Sequence, residues 1–539
     1  MKKKLTLVLL ACLLLTGCGG DAPADPPATQ PTQPTVGAEQ AQPTQPTRGP
    51  EQLQQAPAGP EVRELALLGV LQGEDYRSQW HEENRLCGAV WQTFSLSEDS
   101  AAAYPALAES LRELNRENER YGREFVQKNA DYARELLAEG SAYFNGFTST
   151  EECSVQRADE YILSIRCDGD EYTGGVHPYY WAYGINLDPE TGEKLELTDI
   201  LVRTDTLPEM LEKKILEKYP GEPFFSLSET LQDYEPDLFS WTLDYQGLTF
   251  YFAPYELASY AAGLLTATVW FDEAPELFRE EYLRRPADGY VRALPANLPV
   301  EIDIRPGDEL RDSFVLEAIR EDSDYLVPCI NLNGLELLDE DAWCYWLRPY
   351  LVCVGGKTYA YVESRSDNDY TVLNVYDLNG ETPALVERVY GTGFHGAYFA
   401  DEGEYGAIRN EVFADVGAFK LDTRIDLLGT MTGTGTYAVD PDTGLPRALE
   451  DWYTLDETRP PLTSLRPLTL PILPGGQAEE IPAGTQFYFL RTDGVSYVDM
   501  RLSDGRECRV EVETGPEGWG SLINGIDEWD CFEGLLYAG

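Results

Sequence analysis

Apolar positions recur along this chain at two different periods, and the periods divide it into elements. After Pro105 the side chains Leu107, Leu111, Leu114, Tyr121, Phe125, Tyr132 and Leu136 return about once a turn with Glu and Arg between them, the stripe of an amphipathic helix. Pro105 suits the first helical position, where its missing N–H has no partner to lose, and Gly140 supplies the stop. The polar face of this helix mixes both charge signs, as on a helix laid across a sheet. On either side the period drops to two, which predicts strands at 86–96 and 161–167. Further strands follow at 181–187 and 194–197, joined by the tight reversal Asp188-Pro189-Glu190-Thr191-Gly192, where Pro presets φ and Gly supplies the positive φ. Thr206 and Pro208 open a helix that runs to about Tyr219, and strands at 247–256 and 265–271 complete the set. The pattern predicts an α+β domain over 61–285, an antiparallel sheet with one long covering helix.

Beyond it the helical period disappears. Residues 296–480 carry short apolar runs at 350–354, 358–362 and 371–376 between Gly, Asn and Asp turns, and a second reversal, Asp440-Pro441-Asp442-Thr443-Gly444. This predicts a mostly β domain, built as a sandwich or as a few propeller-like blades. Residues 484–539 hold closely spaced hairpin signals at 486–491, 497–502 and 507–512, with Asp493-Gly494 and Asp504-Gly505 between them. They predict a small β-barrel somewhat like a bacterial SH3 module.

The first residues have another character. Lys2, Lys3 and Lys4 precede an apolar run at 5–15 that is too short to span a bilayer, the arrangement of an export signal. Leu15-Thr16-Gly17-Cys18 resembles the bacterial lipobox, which implies a lipoprotein signal peptide at 1–17 and a palmitate-type lipid on Cys18. Residues 18–60 are rich in Pro, Gln and Thr and have little to bury, so they predict a disordered tether. Its reach is roughly 35 Å as a coil and about 130 Å as polyproline II. The expected location is the outer face of the bacterial cytoplasmic membrane, with lipid as the only attachment.

Composition narrows the chemistry. Hydrophobic residues make up 43% of the 539 and aromatics 12%, too much for a disordered chain. Against 94 Asp and Glu stand 41 Lys and Arg, a formal charge of −53 that excludes binding to a nucleic-acid backbone. The three histidines, His81, His177 and His395, and the lack of Gly-x-Ser-x-Gly, His-Glu-x-x-His and Cys-x-x-Cys signatures assign no catalytic residue, metal site or cofactor. Eight cysteines remain beyond Cys12 and Cys18. Outside the cytosol they can pair, with Cys153–Cys167, at the two ends of a hairpin, and Cys508–Cys531, inside the tail, as the preferred bridges and buried free thiols as the alternative. In an alternating strand one of Tyr179 and Tyr180 faces outward beside Trp181, and exposed aromatics at a sheet edge are common binding anchors.

Thr173-Gly174-Gly175-x-His177, Asp188-x-x-Thr191-Gly192, Leu197-Thr198-Asp199-Ile200-Leu201, Phe252-x-Pro254-Tyr255-Glu256 and Tyr260-Ala261-x-Gly263 occur in that order. Together they make about 62–285 resemble the RsiV-type extracellular domain pair of Gram-positive bacteria. In that family the pair forms the outer part of lysozyme-sensing anti-sigma factors and precedes the catalytic domain of some peptidoglycan deacetylases. The resemblance implies binding rather than catalysis, with His177, Tyr179, Tyr180, Trp181, Tyr251 and Tyr255 as candidate binding residues. The expected function is that of a non-catalytic surface lipoprotein whose partner is a lysozyme-like basic protein or a peptidoglycan fragment. An envelope hydrolase and a structural envelope scaffold are the alternatives.

Overall fold

A computed structural model of the chain describes residues 65–140, 146–305, 310–320, 325–367, 370–399, 407–515 and 520–538. The expected signal peptide, Cys18 and the expected tether lie outside the described residues. The first strands, β1 (Val70–His81) and β2 (Asn84–Leu96), pair antiparallel through an irregularity between Gln79 and Trp80. A short helix α1 (Glu98–Ala103), capped by the Ser97 hydroxyl, leads into α2 (Pro105–Ala138), the helix that the periodic stripe predicts. Its buried face differs from the stripe. Leu107, Leu111 and Phe125 are inside, but Tyr121 and Tyr132 are exposed and Gly122, Ala130 and Ala133 are buried. The reason is Trp91 on β2: a Cβ on Gly122 would stand 2.3 Å from its ring. Here the sheet supplies the bulk, so the helix must be small.

Strands β3 (Phe147–Asp159), β4 (Ile162–Tyr172) and β5 (Tyr179–Leu187) extend the sheet, with β5 at its edge. The expected all-antiparallel sheet is corrected at one place: β2 and β3 run parallel where Cys87–Val90 face Phe147–Thr150. Past Val90 the two strands part, and α2 takes over the open ladder. Asn115 Oδ1 accepts from the Phe94 N–H at 2.8 Å, Asn115 Nδ2 donates to the Phe94 carbonyl at 2.8 Å, and Asn118 Nδ2 donates to the Gln92 carbonyl at 3.1 Å. At the other edge, residues far along the chain complete the sheet. Strand Ala407–Glu411 pairs with β1 at Leu71–Gly73, and Gly396–Phe399 lies beyond it.

A second layer consists of helices α3 (Leu207–Lys218) and α4 (Leu227–Asp233) with the antiparallel strands β6 (Ser240–Leu243), β7 (Gly247–Phe252) and β8 (Leu265–Trp270). Leu211, Ile215, Leu231, Trp241, Phe250 and Val269 form its core. It docks on β5 so closely that a Cβ on Gly184 would stand 1.6 Å from the Trp241 carbonyl oxygen, which also accepts from Asn186 Nδ2 at 2.8 Å.

The remainder is strand. In the five-stranded antiparallel sheet that includes β9 (Gly289–Ala293), Trp346–Val354 and Lys357–Arg365, alternate residues serve two cores. Tyr350, Val352, Tyr359 and Tyr361 join Val70, Phe94, Val155 and Ile165 of the first sheet, whereas Leu351, Ala360 and Val362 join Ile302, Phe314 and Ile330 of a four-stranded sheet. Packed sheets, not propeller blades, are what these cores describe. The tail corrects the expected SH3-like module. Its strands Gln486–Thr492, Tyr497–Leu502 and Glu507–Glu511 belong to a larger sheet that begins at Thr392–Phe394, and among the described residues no closed barrel forms. No helix among the described residues is long and apolar enough to cross a membrane.

Candidate functional site

The turn from β4 to β5 carries the first group of candidate residues. Gly174 and Gly175 have φ of 100° and 110°, conformations open to glycine, and they lift Val176 into solvent at 98% exposure. His177 then folds back. Its Nδ1 lies 3.0 Å from the Pro178 carbonyl, which only accepts, so this nitrogen carries the proton. The Tyr260 hydroxyl donates to the same carbonyl at 2.7 Å, and the two rings stack with centroids 3.7 Å apart. Tyr180 meets Tyr260 edge to face at 5.2 Å, and Tyr255 lies at 5.9 Å from it. Tyr255 is 53% exposed and sits at φ 71°, a left-handed conformation uncommon for an aromatic residue, with its N–H bonded to the Ala258 carbonyl. Burial, with Tyr255 nearby, pushes the Tyr180 phenol above its ordinary value, so the ring is neutral at pH 7.

Three of the six candidates, His177, Tyr180 and Tyr255, are thus gathered around Tyr260, a residue present in the sequence motif but not chosen as a candidate. Its place at the hub depends on β7 and its following turn coming beside β5, which local sequence does not encode. Tyr179 and Trp181 point to the other face of β5, where their rings stack at 5.8 Å and Trp181 covers Gly169. Tyr251 is corrected outright. It is 2% exposed, its hydroxyl bonds Thr242 at 2.7 Å, and the Arg166 guanidinium lies over its ring at 5.0 Å. It is a core residue.

Carboxylates share the face of Tyr180. Across the ladder Tyr180 opposes Asp170, and Asp168, two residues along β4, opposes Glu152 on β3. Burial and Glu171 raise Asp170. Burial also raises Asp168, against the pull of Arg166, whose guanidinium binds it at 2.8 Å.

On the opposite face the sheet brings together groups that the sequence reading did not connect. Cys153 and Cys167 are cross-strand partners with sulfurs 2.7 Å apart, Glu151 lies beside Cys153, and the Tyr183 hydroxyl donates to Glu151 Oε2 at 2.8 Å. The eight cysteines of the described residues are unbridged in this structure, and Cys508 and Cys531 are both buried in one core. A hairpin pattern was the signal for the Cys pair; nothing in the sequence pointed to Glu151 or Tyr183.

Residues 199–272 match a protein family described as a protein of unknown function (DUF3298), so the chain carries a DUF3298 domain there. This stretch contains the second layer and both Tyr255 and Tyr260. Among solved structures, a DUF3298 family member from Bacteroides fragilis is 18% identical, covering 40% of this chain and 96% of its own, with a TM-score of 0.30. A DUF3298 family protein from Pseudomonas aeruginosa is 17% identical, covering 40% of this chain and 97% of its own, with a TM-score of 0.28. No curated protein matches.

Proposed function

We propose that this protein is an exported lipoprotein, held by lipid on Cys18, that binds a basic protein of the lysozyme kind or a cell-wall fragment without turning it over. The observation that carries the reading is the ring cluster of half-buried Tyr180 and Tyr260 with exposed His177 and Tyr255, beside the carboxylates of β3 and β4. Aromatic rings supply contact area at low conformational cost, and they hold a bound partner. A chain of formal charge −53 supplies the long-range attraction for a cation and speeds its approach. The RsiV-type motifs support the same face, since Thr173 to His177, Pro254-Tyr255 and Tyr260 to Gly263 all converge on it.

The test uses the whole chain from Glu61, because strand Ala407–Glu411 completes the sheet that holds the site. In surface-based kinetics with lysozyme and with soluble muropeptides, Tyr255→Ala or Tyr260→Ala should speed dissociation by about 1 to 3 kcal/mol. Added salt should slow association with lysozyme, since charges are screened beyond about 10 Å at 0.1 M. Absence of binding to either probe at low salt overturns the reading. In cells, Cys18→Ala should release the protein or leave it unprocessed; a processed, membrane-bound variant refutes the anchor.

A further inference from the structure

The face of the first sheet turned away from the aromatic cluster holds chemistry that ligand binding does not use. We propose that Cys153 and Cys167 form a reversible dithiol–disulfide couple, entered from the Cys153 side, with Glu151 as its proton carrier. The two residues are direct antiparallel partners on β3 and β4, and their sulfurs, 2.7 Å apart, need only a small approach to bond. Access is unequal: Cys153 is half-buried and Cys167 is fully buried, so an external disulfide meets Cys153 first.

Among the described residues the near carboxylate acceptor for the proton is Glu151. Glu151 Oε1 lies 3.9 Å from Cys153 Sγ, while Oε2 is fixed by the Tyr183 hydroxyl. Burial raises both thiols, Cys153 well above its ordinary range, so neither ionises unaided at neutral pH. The other titratable groups near the pair are Tyr183 on β5, Asp168, which lies on the opposite face tied to Arg166, and, beside Glu151, Tyr121 on α2, which donates to Glu171. Among the described residues, only Glu151 places a carboxylate oxygen within reach of a sulfur without a cation already on it.

The step balances with a low-molecular-weight disulfide, RSSR, as oxidant. Cys153 yields its proton to Glu151, its thiolate attacks one sulfur of RSSR, the S–S bond breaks, and the displaced thiolate takes the proton back from Glu151 and leaves as the first RSH. Cys167 then attacks the Cys153 sulfur of the mixed disulfide, and its proton leaves with the displaced thiolate as the second RSH. Two thiols and one RSSR become one protein disulfide and two RSH. A metal ion is the competing occupant, but two sulfurs at about 2.3 Å from a tetrahedral ion would stand farther apart than these do.

The full chain, reduced under native conditions and exposed to bis(2-hydroxyethyl) disulfide, is quenched by alkylation and mapped by mass spectrometry. Cys153 and Cys167 should be joined, while Cys87, Cys329, Cys344, Cys508 and Cys531 stay as thiols until the chain is unfolded. The oxidation rate should rise with pH as Glu151 ionises, and Glu151→Gln, which still accepts from Tyr183, should oxidise roughly 100-fold slower with that rise lost. Cys167→Ser should trap the mixed disulfide on Cys153. The proposal falls if both thiols stay alkylatable in a folded chain, or if Glu151→Gln oxidises at the wild-type rate with the wild-type pH profile. It falls equally if the reduced protein retains one equivalent of metal that Cys153→Ser loses.

Discussion

Arg157 and Asp159 form an ion pair with both side chains at 0% exposure, 2.7 Å apart. The remaining guanidinium nitrogens donate to the carbonyls of Tyr282 at 2.6 Å and Arg284 at 3.2 Å, and Asp159 accepts from the Tyr161 and Ile162 N–H groups. A bulge in the β3–β4 ladder between Val155 and Arg157 turns the side chain inward. Arg157→Ala would strand a buried carboxylate, and it should lower stability by about 3 to 5 kcal/mol in urea unfolding. Gly184→Ala acts through sterics instead. Its Cβ meets the Trp241 carbonyl, backbone that cannot rotate away, so roughly 3 kcal/mol should be lost in the same assay. Three candidate binding residues were legible in sequence because Gly174-Gly175 and Pro254-Tyr255 mark turns that must lie outside. Tyr251 was not legible. All six residues of β7 are buried, since both faces of the strand are covered, and alternation then carries no signal.

At the scale of elements, local chemistry was readable and long-range pairing was not. Both Asp-Pro-x-Thr-Gly reversals fold alike: Asp188 accepts from the N–H groups of Glu190 and Thr191, Asp440 accepts from those of Asp442 and Thr443, and Gly192 and Gly444 have φ of 71° and 73°. Everything such a turn needs lies within five residues. The tail hairpins were likewise readable as strands, but which sheet they join is decided by partners from Thr392 onward, so their sequence suggested a free-standing barrel. The parting of β2 and β3 was equally hidden, because the groups that heal it are two asparagines on a helix. Asn115 is open to test. Asn115→Ala leaves the Phe94 N–H and carbonyl without their partners and should cost about 2 to 4 kcal/mol, whereas Asn115→Asp retains the acceptor and should cost roughly half as much. Equal losses in the two variants, measured by urea unfolding, would mean that the ladder contact contributes nothing specific.

For the whole molecule the governing quantity is charge. Burial raises the carboxyl groups of Glu74, Glu151, Glu152, Asp168, Asp170 and Glu363 above their ordinary values, in Asp168 against Arg166 and in Glu363 against Arg348 and Arg365. A carboxyl raised in the folded state contributes stability that is complete below its unfolded value, near 4, and is lost as pH climbs through the raised value. Opposing these are Asp440, lowered by the Thr443 N–H and hydroxyl, and Asp493, where burial is outweighed by Ser496 and the backbone N–H groups of Val495 and Tyr497. Their contribution is present above the unfolded value and is lost only as pH falls through the lowered one. The two sets act in different windows, and a formal charge of −53 adds self-repulsion that shrinks as acids protonate. The melting temperature should therefore rise as pH is lowered from 7 to about 5, and turn down only at more acid pH. Asp170→Asn removes one raised group and its repulsion with Glu171, so it should raise the melting temperature at pH 7 and flatten the slope between pH 7 and 5. A wild-type melting temperature that falls steadily from pH 7 to 5 would refute this reading of the buried acids. A slope unchanged in Asp170→Asn would move the effect to the other raised carboxyls.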